Sequence, residues 1–178
     1  MGVARFAREA KVSKIKAREF IDRFNERYSN AFEYLQLVQK EAIANGYVST
    51  LLGRRRYFEF SGSTLRKLRG TPPEAIDLRH LKIYGQGDAQ ALRAAANAPS
   101  QGSGADIIKL ARIRVQELLK DYEARLLLQV HDELIFEMPL EEWIELETKI
   151  KDVMETVIDI SVPLEVEIHG GNNWMEAK

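Results

Sequence analysis

The stretch LLQVHDELIF, residues 127–136, sets a His131-Asp132-Glu133 triplet between two short apolar runs. This is the pattern of a two-stranded hairpin with a carboxylate at its tip. Leu126, Leu127, Leu128 and Val130 precede the triplet and Leu134, Ile135 and Phe136 come after it, so both strands are expected to be buried. A carboxylate held there is poorly hydrated and needs an offsetting cation, proton or metal ion. The metal reading leads to a definite chemistry: phosphoryl transfer by divalent cations uses carboxylates converging on two ions about 3.5–4 Å apart. Asp132 offers one such ligand. Glu133 is adjacent, but successive strand residues point to opposite faces, so a second ligand must come from elsewhere. The plainer alternative is a turn aspartate that caps backbone N–H groups. His131 suits an acid–base group, a metal ligand or a donor to a phosphate or sugar oxygen; beside the basic part of this chain the last role is favoured.

Two further groups of residues carry chemistry. Arg93, Asn97 and Gln101 are spaced by four, which on a continuous helix presents a row of hydrogen-bond donors to acceptors shared by all base pairs in a minor groove. Ordinary exposed polar residues give the same spacing. Arg54, Arg55 and Arg56, followed by Arg66, Lys67 and Arg69, form the densest basic cluster and suit phosphate contacts. The competing reading is a solubilising surface. Tyr57, next to the arginines, is assigned to the core.

The elements that must position these groups can be read from composition and periodicity. With 178 residues, 45% apolar and 30% charged, the chain has the material for one sizeable core. It contains no cysteine, which excludes disulfides and thiolate metal sites and leaves hard cations with oxygen ligands. Its start, MGVARFAREA, lacks a long apolar run and no segment approaches the roughly 20 residues needed to span a bilayer, so a cytoplasmic location without membrane attachment is expected. The net charge of −1 hides an asymmetry: residues 1–120 carry 22 Lys+Arg and 12 Asp+Glu, whereas 121–178 carry 4 and 15. A basic surface beside a carboxylate-bearing site suits a polyanion.

From Ser13, an N-cap, apolar residues at Ile15, Phe20, Ile21, Phe24, Tyr28, Phe32, Leu35 and Val38 predict two amphipathic helices with a break near Ser29-Asn30, ending at Asn45-Gly46. Tyr47 to Leu52 reads as a strand with the arginines just beyond its end. Residues 61–90, with Pro72-Pro73 and four glycines, predict an irregular, mobile excursion. Ala89 to Ala98 predicts a short helix closed by Pro99, and Ser103 or Asp106 opens a longer one to about Tyr122. After the hairpin come a helix from Pro139 to about Ile158, a strand from Val162 to Ile168 beside the hairpin, and a tail from Gly170 anchored by Trp174. The fold class is α+β, a small antiparallel sheet covered by helices.

Taken in order, GYVSTLLGRRRY (46–57), LRAAANAPSQGSGADIIKLA (92–111), LLQVHDELIFE (127–137) and VPLEVEI with Asn173-Trp174 resemble the C-terminal part of the family A DNA polymerases of bacteria. The 61–90 stretch is similar to the insertion of cyanobacterial-type members. The resemblance implies partial fingers at 1–60, an insertion at 61–90 and palm at 91–178. It makes Asp132 one of two aspartates that hold two catalytic Mg2+ ions, places His131 near a primer 3′ end, gives Glu133 an assisting role, and sets Arg93, Asn97, Gln101 and Gln129 along the minor groove of a primer–template duplex.

The departures from that family are equally informative. Nothing in the chain resembles the family's other metal-binding aspartate motif or the fingers helix that grips the deoxynucleotide triphosphate, and MGVARFARE resembles the stretch immediately after that helix. Ser100 replaces a usually apolar residue, and Gly104 a small helix former at a cost of roughly 1 kcal/mol. The expectation is therefore a DNA-directed DNA polymerase of replication and repair, nucleoid-associated, present as a C-terminal piece that needs an N-terminal partner and is nearly inactive alone. The alternative is a non-catalytic DNA-binding remnant. A related single-subunit RNA polymerase also has a His-Asp hairpin, but Glu133 and the 93–101 block favour the DNA enzyme. Uncovered sheet edges and apolar faces are expected, with self-association as their consequence.

Overall fold

A computed structural model describes residues 3–81 and 85–177; Lys82 to Tyr84, within the expected excursion, and Lys178, at the end of the expected tail, lie outside the described residues. Its contacts divide the chain into two units: Met1–Ser49 with Arg55–Pro99, and Thr50–Arg54 with Ser100–Lys178.

In the first unit, α1 (Val3–Glu9) and α2 (Lys14–Arg27) precede α3 (Ser29–Asn45). Ser13 caps α2 as expected, its Oγ accepting from Lys16 N at 3.3 Å, and the predicted break falls at Tyr28. Gly46 ends α3 in the left-handed conformation at φ 66°, where a Cβ is disfavoured. The chain then forms β1 (Tyr47–Ser49) and β2 (Arg55–Tyr57), an antiparallel pair with Val48 opposite Arg56. The expected single strand to Leu52 is thus shorter and has a partner. Arg55 and Arg56 lie in that partner and only Arg54 in the turn, because Gly53 donates to Thr50 O at 2.9 Å and folds the chain back.

Residues 61–81 are irregular apart from α4 (Ser63–Arg66) and a 3₁₀ turn at Pro73–Ala75, but the expectation of a mobile excursion needs correction for the described part. Leu65 and Ile76 are buried beside Ile43 and Val48, each contributing roughly 1.5–3 kcal/mol by burial. Gly70 N donates to Ala44 O at 2.8 Å. The buried Asp88 carboxylate accepts from Ser61 N at 2.9 Å and Gly62 N at 2.8 Å. Glycine and proline density therefore marks irregularity without looseness.

A second correction concerns Pro99, which does not separate two helices: α5 runs from Gln86 to Leu118 with Pro99 inside it, followed by a 3₁₀ turn at Leu119–Asp121. A proline inside a helix costs about 3 kcal/mol. What offsets this in the second unit is a set of bonds just downstream. Ser103 Oγ accepts from Leu51 N at 2.9 Å, and Asp106 accepts from Thr50 Oγ1 and from Arg54 Nε, both at 2.7 Å.

The hairpin appears as β3 (Arg125–Val130) and β4 (Glu133–Glu137), and the expected closing helix as α6 (Leu140–Glu155). Leu126 and Phe136 pack on the second core of Val115, Leu119, Leu146 and Ile150. Val162 to Ile168 forms no strand. Pro163 lacks a donor, and Val166 N is taken by Glu155 Oε1 of α6 at 2.9 Å, while Ile168 packs on the core. In the tail Glu176 accepts from Asn172 N at 3.1 Å and Asn173 Nδ2 at 2.7 Å, and Trp174 is 46% exposed.

Apolar faces stand open on both units. The apolar face of α2 is solvated at Ile15 (72% exposed), Phe20 (55%) and Phe24 (53%), with rings stacked along it from Phe6. On the hairpin Leu127 is 53% and Leu128 42% exposed, contrary to the expectation of full burial. Sedimentation velocity across a concentration series should show reversible association of the isolated chain; a single monomeric species at every concentration would contradict this.

Two glycines on α5 separate propensity from packing. A Cβ at Gly104 meets nothing within 4 Å, whereas one at Gly102 would lie 2.6 Å from Thr50 Cγ2. Gly104→Ala should raise stability by about 1 kcal/mol through helix propensity. Gly102→Ala should lower it by about 1–3 kcal/mol through the forced displacement of Thr50. Urea denaturation of the two variants checks both signs.

Candidate functional site

The β3–β4 register pairs Val130 with Glu133 and leaves His131 and Asp132 as a two-residue turn. His131 takes φ 55°, the sign that a tight hairpin asks of its first central residue. Histidine is among the residues that tolerate it. Gln129 Nε2 donates to the His131 carbonyl at 2.9 Å, and Gln129 Oε1 accepts a long 3.5 Å contact from Arg112 Nη1 of α5. The side chains of His131, Asp132 and Glu133 all face solvent, so the expectation that the Asp132 charge would be poorly hydrated is corrected. The turn lifts it clear of the apolar strands.

Asp132 is a hard oxygen donor suited to a hard cation. Among the described residues, however, no three His, Asp or Glu side chains converge so that they could hold a metal ion. The described residues therefore form no metal centre by themselves.

The three arginines have separate surroundings. Arg54 Nε bonds Asp106 Oδ1 at 2.7 Å, and its Nη2 donates to Gly102 O at 3.1 Å, so two of its nitrogens serve the second unit's structure. The Arg55 guanidinium lies 4.4 Å from the Tyr47 ring centre and that of Arg56 lies 5.3 Å from Phe58, positions in which the cation is attracted to the ring face and stays exposed. Tyr57 is 68% exposed and pairs across the strands with Tyr47 at 5.8 Å, so its assignment to the core is corrected. In the first unit, Arg93 and Asn97 of α5 line an open cavity of about 450 Å³ with residues of α3. Gln101, four residues on, is exposed in the second unit.

Comparison with known proteins decides what these residues belong to. A family model described as DNA polymerase family A matches residues 1–176. The chain belongs to DNA polymerase family A. DNA polymerase I of Synechocystis sp. is 56% identical over 178 residues, covering 100% of this chain and 18% of that protein. DNA polymerase I of Caldicellulosiruptor bescii is 41% identical over 174 residues, 97% of this chain and 18% of that protein. Among solved structures, the POL domain of Pol1 from M. smegmatis in complex with DNA primer-template and dNTP superposes with a TM-score of 0.79 at 36% identity, over 99% of this chain and 28% of that one. The chain thus spans about a fifth of the length of the DNA polymerase I relatives it matches.

Sequence reasoning missed Asp106, Arg112 and Arg79. In the sequence Asp106 signals no more than a helix start, yet it is buried and binds the turn carrying Arg54. Thr50 Oγ1 and, less strongly, Arg54 donate to its carboxylate and hold it below the ordinary aspartate value of 3.8, against the opposing effect of burial. The bonds of Asp106 and Arg112 have no local signal, because each joins residues at least 17 positions apart.

A carboxyl whose folded value is lowered adds stability above its unfolded value and loses it as pH falls through the folded one. The Asp106 contribution is therefore whole above about pH 4 and disappears under more acid conditions. Asp106→Asn should destabilise by roughly 1–3 kcal/mol near neutrality, and its deficit should shrink on acidification below about pH 4, measured by urea denaturation at stepped pH. A deficit that does not change with pH would refute this assignment.

Proposed function

We propose that this chain is the C-terminal portion of a DNA-directed DNA polymerase and that it supports nucleotidyl transfer only together with polypeptide that carries a second metal-binding carboxylate and a nucleotide grip. The observation that carries this reading is the exposed Asp132 at the tip of a two-residue turn, in a chain whose residues 1–176 match the family A polymerases.

In the proposed reaction a primer 3′ hydroxyl oxygen bonds to the α-phosphorus of a deoxynucleotide triphosphate, the bond to the β-phosphate oxygen breaks, pyrophosphate leaves and the hydroxyl proton passes to solvent or a nearby base. Mg2+, when bound, supplies Lewis-acid stabilisation of the attacking and leaving oxygens. Asp132 would provide one ligand for it. His131 would donate toward the primer terminus, its backbone oriented through Gln129. Glu133 would bias the field around Asp132 without sharing its face. Arg93, Asn97, Gln101 and Gln129 offer donors to minor-groove acceptors that do not depend on sequence, and Arg54, Arg55 and Arg56 add positive charge for phosphates, Arg54 while also tied to Asp106. In this reading residues 1–60 are fingers, 61–90 an insertion and 91–178 palm, and the partners are primer–template DNA, deoxynucleotide triphosphates and the N-terminal part of the polymerase. A role in DNA replication and repair at the nucleoid accords with that activity; among the described residues no helix is long and apolar enough to cross a membrane.

Primer extension tests the reading. The purified chain alone should give no extension above background, since one carboxylate cannot organise two ions. Adding a polypeptide that carries the missing fingers and palm motifs should restore extension, and Asp132→Asn should lower the restored rate by at least roughly a hundredfold. Robust extension by the chain alone would refute the incomplete site. Salt-sensitive duplex binding without extension in the complemented mixture would instead select a non-catalytic DNA-binding remnant.

A further inference from the structure

We infer that Arg79, carried by the irregular segment before α5, is a further phosphate-binding arginine, which holds the backbone of a DNA strand in the groove of the first unit where Arg93 also stands. The inference rests on the proposed reading of Arg93 and Asn97 as DNA contacts and extends it to a residue outside any motif of the sequence.

The groove is lined by Phe32, Leu35, Gln36 and Gln39 of α3, by Leu78 and Arg79, and by Arg93, Ala96 and Asn97 of α5. Among the described residues two guanidinium groups and three amides line it and no carboxylate does. Like charges brought to one wall repel unless an anion lies between them, and among the described residues neither Arg79 nor Arg93 is in an ion pair. Gln39 Nε2 donates to Leu92 O at 3.2 Å, so Gln36 and Asn97 are the amides left to address a ligand. The apolar walls, Phe32, Leu35, Leu78 and Ala96, suit the sugar between two phosphates. At about 450 Å³ and open to solvent, the space suits a passing strand better than a single enclosed ion.

Arg79 is not there by accident of a loose loop. Ile76 is buried, and Leu78 packs against the first unit's core. Between them and the arginine, the Asp77 carboxylate accepts from Arg79 N at 2.9 Å and bonds the His80 ring at 2.7 Å, closing a turn that fixes where residue 79 leaves the surface. That carboxylate, the nearest to Arg79 in the chain, also interacts electrostatically with the arginine, while its hydrogen bonds go to Arg79 N and the His80 ring. Arginine suits the role because its planar fork pairs with two phosphate oxygens at once.

The test is fluorescence anisotropy of a labelled primer–template duplex with the full chain over a salt series, comparing wild type, Arg79→Ala, Arg79→Lys and Arg93→Ala. Arg79→Ala should weaken binding roughly three- to tenfold at low salt and reduce the slope of log affinity against log salt by about one, with Arg79→Lys recovering the slope and only part of the affinity. Arg79 is exposed, so the variants should fold, which circular dichroism confirms. Wild-type affinity and slope for Arg79→Ala, with Arg93→Ala weakened, would overturn this inference alone. Wild-type behaviour of both alanine variants would overturn the inference together with the DNA reading of Arg93.

Discussion

The register of one hairpin decides where the only proposed metal-ligand carboxylate of this chain stands. Side chains alternate across a strand, so a slip of one residue would turn the Leu126 and Phe136 face outward and carry Asp132 out of the turn. Two features prevent the slip: Leu126 and Phe136 pair directly and pack on the core of α5 and α6, and Leu127 bulges out of the ladder before Leu128 pairs with Ile135. With the register pinned, a two-residue turn admits only His131 and Asp132. The positive φ of His131 is a consequence of the tightness of that turn, and the Gln129 side chain bonds the carbonyl that the turn exposes.

Around the other proposed contacts the fold repeatedly uses a buried carboxylate to hold irregular backbone. Asp88 accepts the N–H groups of Ser61 and Gly62, and Asp106 accepts from Thr50 and Arg54. Both are buried acids, acceptable because every such charge is met by several donors. In consequence segments rich in glycine, proline and arginine, which by composition look loose, are held in fixed places. Arg54 then serves structure as much as it can serve a phosphate.

The uncovered apolar surface fits the same picture. The ring ladder of α1 and α2 and the outer face of β3 have the patterning of core elements but no partner among the described residues. The chain matches family A polymerases while spanning about a fifth of the relatives' length.

Local signals in the sequence determined a good deal. The Ser13 cap, the break before Ser29, the glycine end of α3, the hairpin about His131-Asp132 and the α6 stripe all depend on interactions within a few residues, and each is found where the sequence puts it. Periodicity also told that α2 has an apolar face, though not whether anything lies against it. Tertiary structure decided the rest. Pro99 stays inside a helix because bonds to Thr50, Leu51 and Arg54 offset its cost, the 162–168 segment gives up a strand because Glu155 takes its N–H, and the arginine trio divides between an ion pair and two ring faces. Arg79 reaches the groove of Arg93 only because Ile76 is buried and Leu78 packs on the core. Each of these outcomes is a competition between a local preference and a partner distant in the chain, and only the folded chain brings such partners together.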